Sequence, residues 1–151
     1  MDSTLAQMAE KFAITELMSR YCDRIDAKDP AGAAACFTEG GVGDYWGEET
    51  GRAAITARLT GILARFQATS HHLTNVLIEL NGERASAMSY VYAFHRKAAD
   101  SSAMHVWGRW VDRLEKVDGQ WLFAHRRVAL VGSENRDGGD FDHPGHPGRL
   151  P

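Results

Sequence analysis

Apolar residues recur at spacings of three and four through Ile14, Met18, Tyr21, Cys22 and Ile25, a period that predicts an amphipathic helix from about Asp2 to Lys28, in one piece or two. Asp26 extends the ridge formed by Met18 and Cys22 at i, i+4 and i+8, so a carboxylate lies on the helix's apolar side, where an unpaired charge is costly. Asp29-Pro30 offers an N-cap followed by proline at the first helical position, and "PAGAAACF" reads as a short second helix. "VGDYWG" is a short strand candidate. Thr50 then reads as the cap of a third helix, with Ile55, Leu59, Ile62, Leu63 and Phe66 on its apolar face.

From Thr69 the period changes to two. "TSHHLTNVLIEL" and "ASAMSYVYAFHRK" are rich in β-branched and aromatic residues, and Asn81-Gly82 between them signals a hairpin. "AMHVWGRWVDRLEKV" and "QWLFAHRRVALV" follow, joined at Asp118-Gly119. Helices first and a long antiparallel meander afterwards make an α+β plan, with helices packed on one face of a curved sheet. The expected organisation is one domain over residues 1–132, followed by an irregular Gly-, Pro- and Asp-rich tail over 133–151.

The strand "RASAMSYVYAFHRK" is informative about the interior. Alternation places Ala85, Ala87, Ser89, Val91, Ala93 and His95 on one face and Ser86, Met88, Tyr90, Tyr92, Phe94 and Arg96 on the other. Small residues turned toward the helices leave room for a cavity walled by Val91 and Ala93, with His95 at its edge. The large aromatic face, if exposed, calls for a partner, and a homodimer or homotrimer through the outer sheet face is the expectation.

With 151 residues, 17 Lys and Arg against 20 Asp and Glu, and a net charge of -3, the chain is one domain with no basic stripe for nucleic acid. Its start has no basic region followed by an apolar one, and no 18 apolar residues run together, so neither export nor membrane insertion is expected, and the location expected is cytoplasmic. Cys22 and Cys36 fall in helical apolar patterns and read as reduced packing residues.

Candidate chemistry gathers on Asp26 and Tyr21 of the first helix, Tyr45 of the short strand, His71, His72 and His95 of the meander, and Arg126 of the last strand. A histidine held by a carboxylate is the usual general base, because the carboxylate fixes the tautomer and stabilises the imidazolium that forms. Pairing Asp26 with His71 would satisfy both, with Tyr21, Tyr45 and His95 as donors to a developing oxygen. Plain alternatives stand beside this: a surface histidine, Asp26 capping the next helix, Tyr21 and Tyr45 as packing, and Arg126 as a surface cation. No metal is expected, since adjacent residues such as His71 and His72 point to opposite faces of a strand. His143 and His146 of "HPGHPG" lie in the expected tail. No nicotinamide, flavin or phosphate motif is present, and no cofactor is expected.

"YCDRID", "DYWG", "TSHHLTNVLIELNGERASA", "FHR" and "VDGQWLFAHRR" together resemble the SnoaL-like branch of the nuclear-transport-factor-2-like superfamily, which includes scytalone dehydratase, over about Ile14 to Val131. The resemblance implies a cone-shaped fold, a bent antiparallel sheet wrapped around helices with the active site inside. It puts Asp26 at the dyad aspartate, His71 at the catalytic histidine, His95 at a second active-site histidine and Tyr45 at a tyrosine that orients the departing water. Tyr21 resembles the tyrosine of the bile-acid 7α-dehydratase, and Arg126 sits where related dehydratases and a dehydrochlorinase have an active-site arginine. Ile25 replaces a tyrosine of scytalone dehydratase, and Gly108 and Trp110 replace small polar residues that hold a substrate carbonyl, which argues against scytalone itself as the substrate.

Parity sets a condition on the site. A tight two-residue turn at Asn81-Gly82 would leave His71 and His95 on opposite faces, because the numbers of paired residues would then sum to an odd value. A bulge or a three-residue loop is therefore predicted. The expected activity is that of a cofactor-independent lyase of dehydratase type on a small hydroxylated aromatic or polycyclic compound. C–C cleavage and isomerisation begin with the same proton abstraction. The contrasting role is a ligand-binding protein or the small structural subunit of a ring-hydroxylating dioxygenase, for which a filled apolar interior is expected.

Overall fold

The computed structural model describes residues 3–137. Three helices, α1 (Ser3–Asp26), α2 (Pro30–Ala34) and α3 (Arg52–Leu63), accompany six strands: β1 (Phe37–Asp44), β2 (Glu48–Thr50), β3 (Phe66–Asn81), β4 (Arg84–Lys97), β5 (Ala103–Val117) and β6 (Gln120–Arg136). The sheet order is β2-β1-β6-β5-β4-β3. The architecture is α+β, and the first helix is unbroken.

Its apolar ridge behaves as the periodicity requires. Ile14, Leu17, Met18, Tyr21, Cys22 and Ile25 are all buried, whereas Leu5, Met8 and Phe12 in the first half are exposed. That half is tied down through Glu10, which accepts from Lys116 Nζ at 2.7 Å and from Trp121 Nε1 at 2.6 Å. Asp29 caps α2 by accepting from the Gly32 N–H at 2.8 Å. No helix is long and apolar enough to cross a membrane among the described residues.

Several expectations are corrected. The sheet is mixed, because β1 pairs in parallel with β6 while the other pairings are antiparallel. The chain leaves β1 through β2 and α3, runs the four-strand meander, and returns beside β1 in the same direction. Thr50 does not cap α3; it ends β2, and Gly51 stands at the cap position with φ 85° and no side-chain bond. Phe66 opens β3 rather than closing α3. The last strand runs to Arg136, past the expected start of the tail, because its residues keep pairing with the first residues of β5, as in Ala103 with Arg136. His143 and His146 lie outside the described residues.

The β3–β4 hairpin meets the parity condition in an instructive way. Its turn is a two-residue one at Gly82-Glu83, since Asn81 pairs with Arg84. Near the turn Leu77 faces Met88, but further along Thr74 faces Tyr90, so β3 has one residue more than its partner between them. This is a bulge, and Asn75 within it has φ 51°, a left-handed conformation that asparagine tolerates better than most residues. Beyond the bulge His71 pairs with Ala93 and Thr69 with His95, which puts both histidines on the inner face.

Candidate active site

Asp26 is the last residue of α1, and its carboxylate reaches the inner face of β3. One oxygen lies 2.7 Å from His71 Nδ1 and accepts from Thr69 Oγ1 at 2.8 Å; the other accepts the His71 backbone N–H at 2.8 Å. Three donors therefore meet one carboxylate. Burial pushes the Asp26 carboxyl up, but the His71 ring and backbone and Thr69 outweigh it, and the carboxyl is held below its ordinary value. Ionised Asp26 stabilises the proton on Nδ1 and leaves Nε2 as the basic nitrogen. The two side chains are only 10% and 16% exposed, His71 the less.

A cavity of about 710 Å³ lies between α1, α3 and the inner face of the sheet. His71, His95, Tyr21, Tyr45, Trp110, Val91 and Ala93 all line it. Asp26 stands behind His71, facing a smaller recess of about 280 Å³ with Ser19 and Cys22. The His95 ring sits edge-on to His71 with centroids 5.3 Å apart. Burial first, and then the neighbouring His71, push His95 down to about 4, so it is neutral near pH 7 and serves as a hydrogen-bonding group rather than a cation.

Tyr21 and Tyr45 form the second polar feature of the wall, with hydroxyl oxygens 2.6 Å apart. One hydroxyl donates to the other, which leaves one phenolic proton for another acceptor. Burial raises both phenols, so both remain protonated donors. Trp110 packs edge-on against both rings, at 5.8 Å from Tyr21 and 6.3 Å from Tyr45.

Arg126 requires a correction: it is not on the cavity wall. Its guanidinium is fully buried beneath the aromatic floor, with Cζ 4.4 Å from the Tyr21 and Trp110 ring centroids and 4.3 Å from that of Phe123. Nε lies 3.6 Å from Asp112 Oδ1, and both side chains are without exposure. β6 turns Arg126 inward, and α1 lays Tyr21 across it. Burial pushes Asp112 up to about 6, against the pull of Arg126.

The other histidines belong to the outer face. His72 packs against Tyr92, and Tyr92 Oη lies 2.7 Å from His105 Nδ1, so they do not join the inner pair. Two groups of wall residues escaped the sequence reading. Thr69 and Trp46 lie inside the quoted motifs "TSHH" and "DYWG"; Trp46 is 68% exposed at φ 61° on the cavity rim. Arg58 and Arg65 come from α3 and the turn after it. Seven residues apart, they follow the same helical stripe as the apolar positions, which is the signal that could have found them.

A SnoaL-like domain model matches residues 6–127. A protein from Novosphingobium aromaticivorans, provisionally named a scytalone dehydratase, is 30% identical; its structure superposes with a TM-score of 0.82 over 98% of this chain and 99% of that one. Rv3472 from Mycobacterium tuberculosis, of unknown function, is 32% identical, with a TM-score of 0.78 over 86% of this chain and 76% of that one. The hexachlorocyclohexane dehydrochlorinase LinA-type3 from Novosphingobium barchaimii shares the fold with a TM-score of 0.84 over 94% and 100% of the two chains, at 17% identity. No curated protein matches the sequence.

Proposed function

The chain belongs to the SnoaL-like domain family, and from that premise we propose that it is a cofactor-independent lyase of dehydratase type, acting on a small hydroxylated aromatic or polycyclic compound. The observation that carries the proposal is the Asp26–His71 pair set in the wall of a cavity large enough for a bicyclic molecule. His71 Nε2 takes a proton from a carbon acidified by a neighbouring carbonyl or phenol. The electron pair of that C–H bond becomes a new C=C bond, and the C–O bond to the departing hydroxyl breaks. Tyr21 or Tyr45 gives a proton to the departing oxygen, which leaves as water, with neutral His95 as a hydrogen-bonding neighbour. Asp26 stabilises the imidazolium until it returns its proton to that tyrosine.

A general base of this kind contributes about 10²–10⁴-fold, and orientation in a desolvated cavity supplies much of the rest. The open interior also supports the enzyme reading over an assembly subunit, for which a filled apolar core was the expectation. The test is turnover of a panel of hydroxylated aromatics and cyclic hydroxyketones, without added cofactor and with chelator present, by wild type and His71→Ala. Loss of at least about 10²-fold in the variant is expected. Equal turnover by both would contradict the proposal.

A further inference from the structure

The chain has more acidic than basic residues overall, 20 against 17. Its cavity wall is the reverse: the described lining residues include two arginines, Arg58 and Arg65, and no carboxylate. Elsewhere basic side chains find acidic partners, as in Arg24 with Asp29, Arg52 with Glu39 and Lys116 with Glu10. Neither Arg58 nor Arg65 has an ion pair with a carboxylate among the described residues.

Arg58 is built into place rather than loosely displayed. It is half-buried, and Nη2 donates to the Tyr45 backbone carbonyl at 2.8 Å, which fixes the guanidinium beside the Tyr21–Tyr45 end of the cavity. Its Nε is closed off from solvent and has no acceptor among the described residues. A guanidinium fixed in the wall of a cavity that has no carboxylate among its described lining residues is matched by a planar oxyanion. Arg65, exposed just beyond the end of α3, adds a second positive charge to the same wall. Between these cations and the histidines the wall is mostly hydrocarbon, including Ile62, Val91, Val106 and Val128.

We infer that the ligand of this cavity is a carboxylate-bearing ring compound, with its carboxylate on Arg58, Arg65 reinforcing the attraction, and its ring body against the apolar wall. The inference rests on the proposal that this cavity receives the substrate. It adds that the substrate is an organic acid, and it makes Arg58 and Arg65 its specificity determinants.

The test compares 6-hydroxy-2-naphthoate with its neutral amide by isothermal titration against wild type, Arg58→Gln, Arg65→Gln and the double variant. The acid is expected to bind wild type about tenfold tighter than the amide, and less tightly as salt rises. In the double variant the ratio falls to about one while the amide's affinity is retained within about twofold. Arg58→Lys, which keeps the charge near Tyr45, separates loss of charge from disturbance of the Tyr45 segment and is expected to keep most of the preference. Equal binding of acid and amide by wild type, no binding of either, or a ratio that survives in the double variant would overturn the inference. The ratio is read without turnover, so the two proposals fail separately. Charge preference in a protein that turns over nothing retracts the lyase alone, and turnover of neutral compounds without charge preference retracts the acid alone.

Discussion

His71 is held twice by Asp26, once through its ring and once through its own backbone N–H, each at 2.7–2.8 Å. The backbone bond ties the carboxylate to the strand, so the ring bond does not depend on side-chain rotamers alone. The helix end and the strand face are locked together at the point where a base is needed.

Replacing Asp26 with Asn keeps the shape but removes the charge that stabilises a protonated His71. Turnover by Asp26→Asn is expected to fall by about 10²-fold or more, with KM changed much less. Thr69→Val removes one of the three donors and is expected to cost several-fold, in line with about 1 kcal/mol for a hydrogen bond. Steady-state kinetics on any substrate found in the panel checks both, and an Asp26→Asn enzyme as active as wild type would remove the dyad from the account.

The bulge at Asn75 absorbs the one extra residue that β3 carries between the turn and His71. Deleting Asn75 makes the pairing regular and leaves Thr74 opposite Tyr90 and His71 opposite Ala93, so His71 stays on the inner face of β3. The expected result is turnover retained in proportion to the folded protein, and a loss beyond that explained by a fall in melting temperature would show that the bulged backbone itself, and not the pairing register alone, orients His71. Asn75→Gly, which suits φ 51° at least as well, is expected to leave stability within about 1 kcal/mol of wild type and turnover intact.

Arg126 and Asp112 form a buried pair whose members depend on each other. Arg126→Met leaves Asp112 buried without its partner and is expected to cost about 3–5 kcal/mol in urea unfolding. Arg126→Met combined with Asp112→Leu is expected to recover a large part of that loss, since both charges then leave the interior. Losses that simply add in the double variant would show that the two side chains are not coupled.

The depressed His95 gives stability a defined pH dependence. Its folded pKa of about 4 lies below the unfolded value of about 6.5, so the unfolded chain binds the proton first. Its contribution is whole above about pH 6.5 and declines as pH falls toward 4. Asp112, raised to about 6, opposes this over much of the same window, because the folded state then takes up the proton first. His95→Gln is expected to flatten the acid-side decline in the urea midpoint relative to wild type between pH 6.5 and 4. An unchanged slope would mean that His95 does not titrate as its burial requires.

Much of the site was legible because two periodicities carry it. The i, i+4, i+8 ridge put Asp26 on the buried side of α1, and the small face of β4 announced a cavity with His95 beside it. Parity asked for a bulge or a three-residue loop in the hairpin if His71 and His95 share a face, although the bulge at Asn75 and the turn at Gly82-Glu83 depend on local backbone choices that hydrophobic pattern does not encode. Arg126 is neither the substrate contact that the resemblance implies nor a surface cation, because strand periodicity does not report what a helix lays over a side chain. Arg58 and Arg65 were passed over since the apolar stripe of α3 drew attention to its leucines and isoleucines. The parallel placement of β1 beside β6 joins segments far apart in sequence, and no local signal reports it.

The most direct test of the account is a nitrogen-15 NMR measurement of the His71 ring tautomer near neutral pH, assigned with His71→Ala. The expected result is that the ring in its neutral form carries its proton at Nδ1 and is bare at Nε2, with a shift away from that pattern in Asp26→Asn. A ring protonated at Nε2, or one indifferent to Asp26, would contradict the base that this structure presents to its cavity.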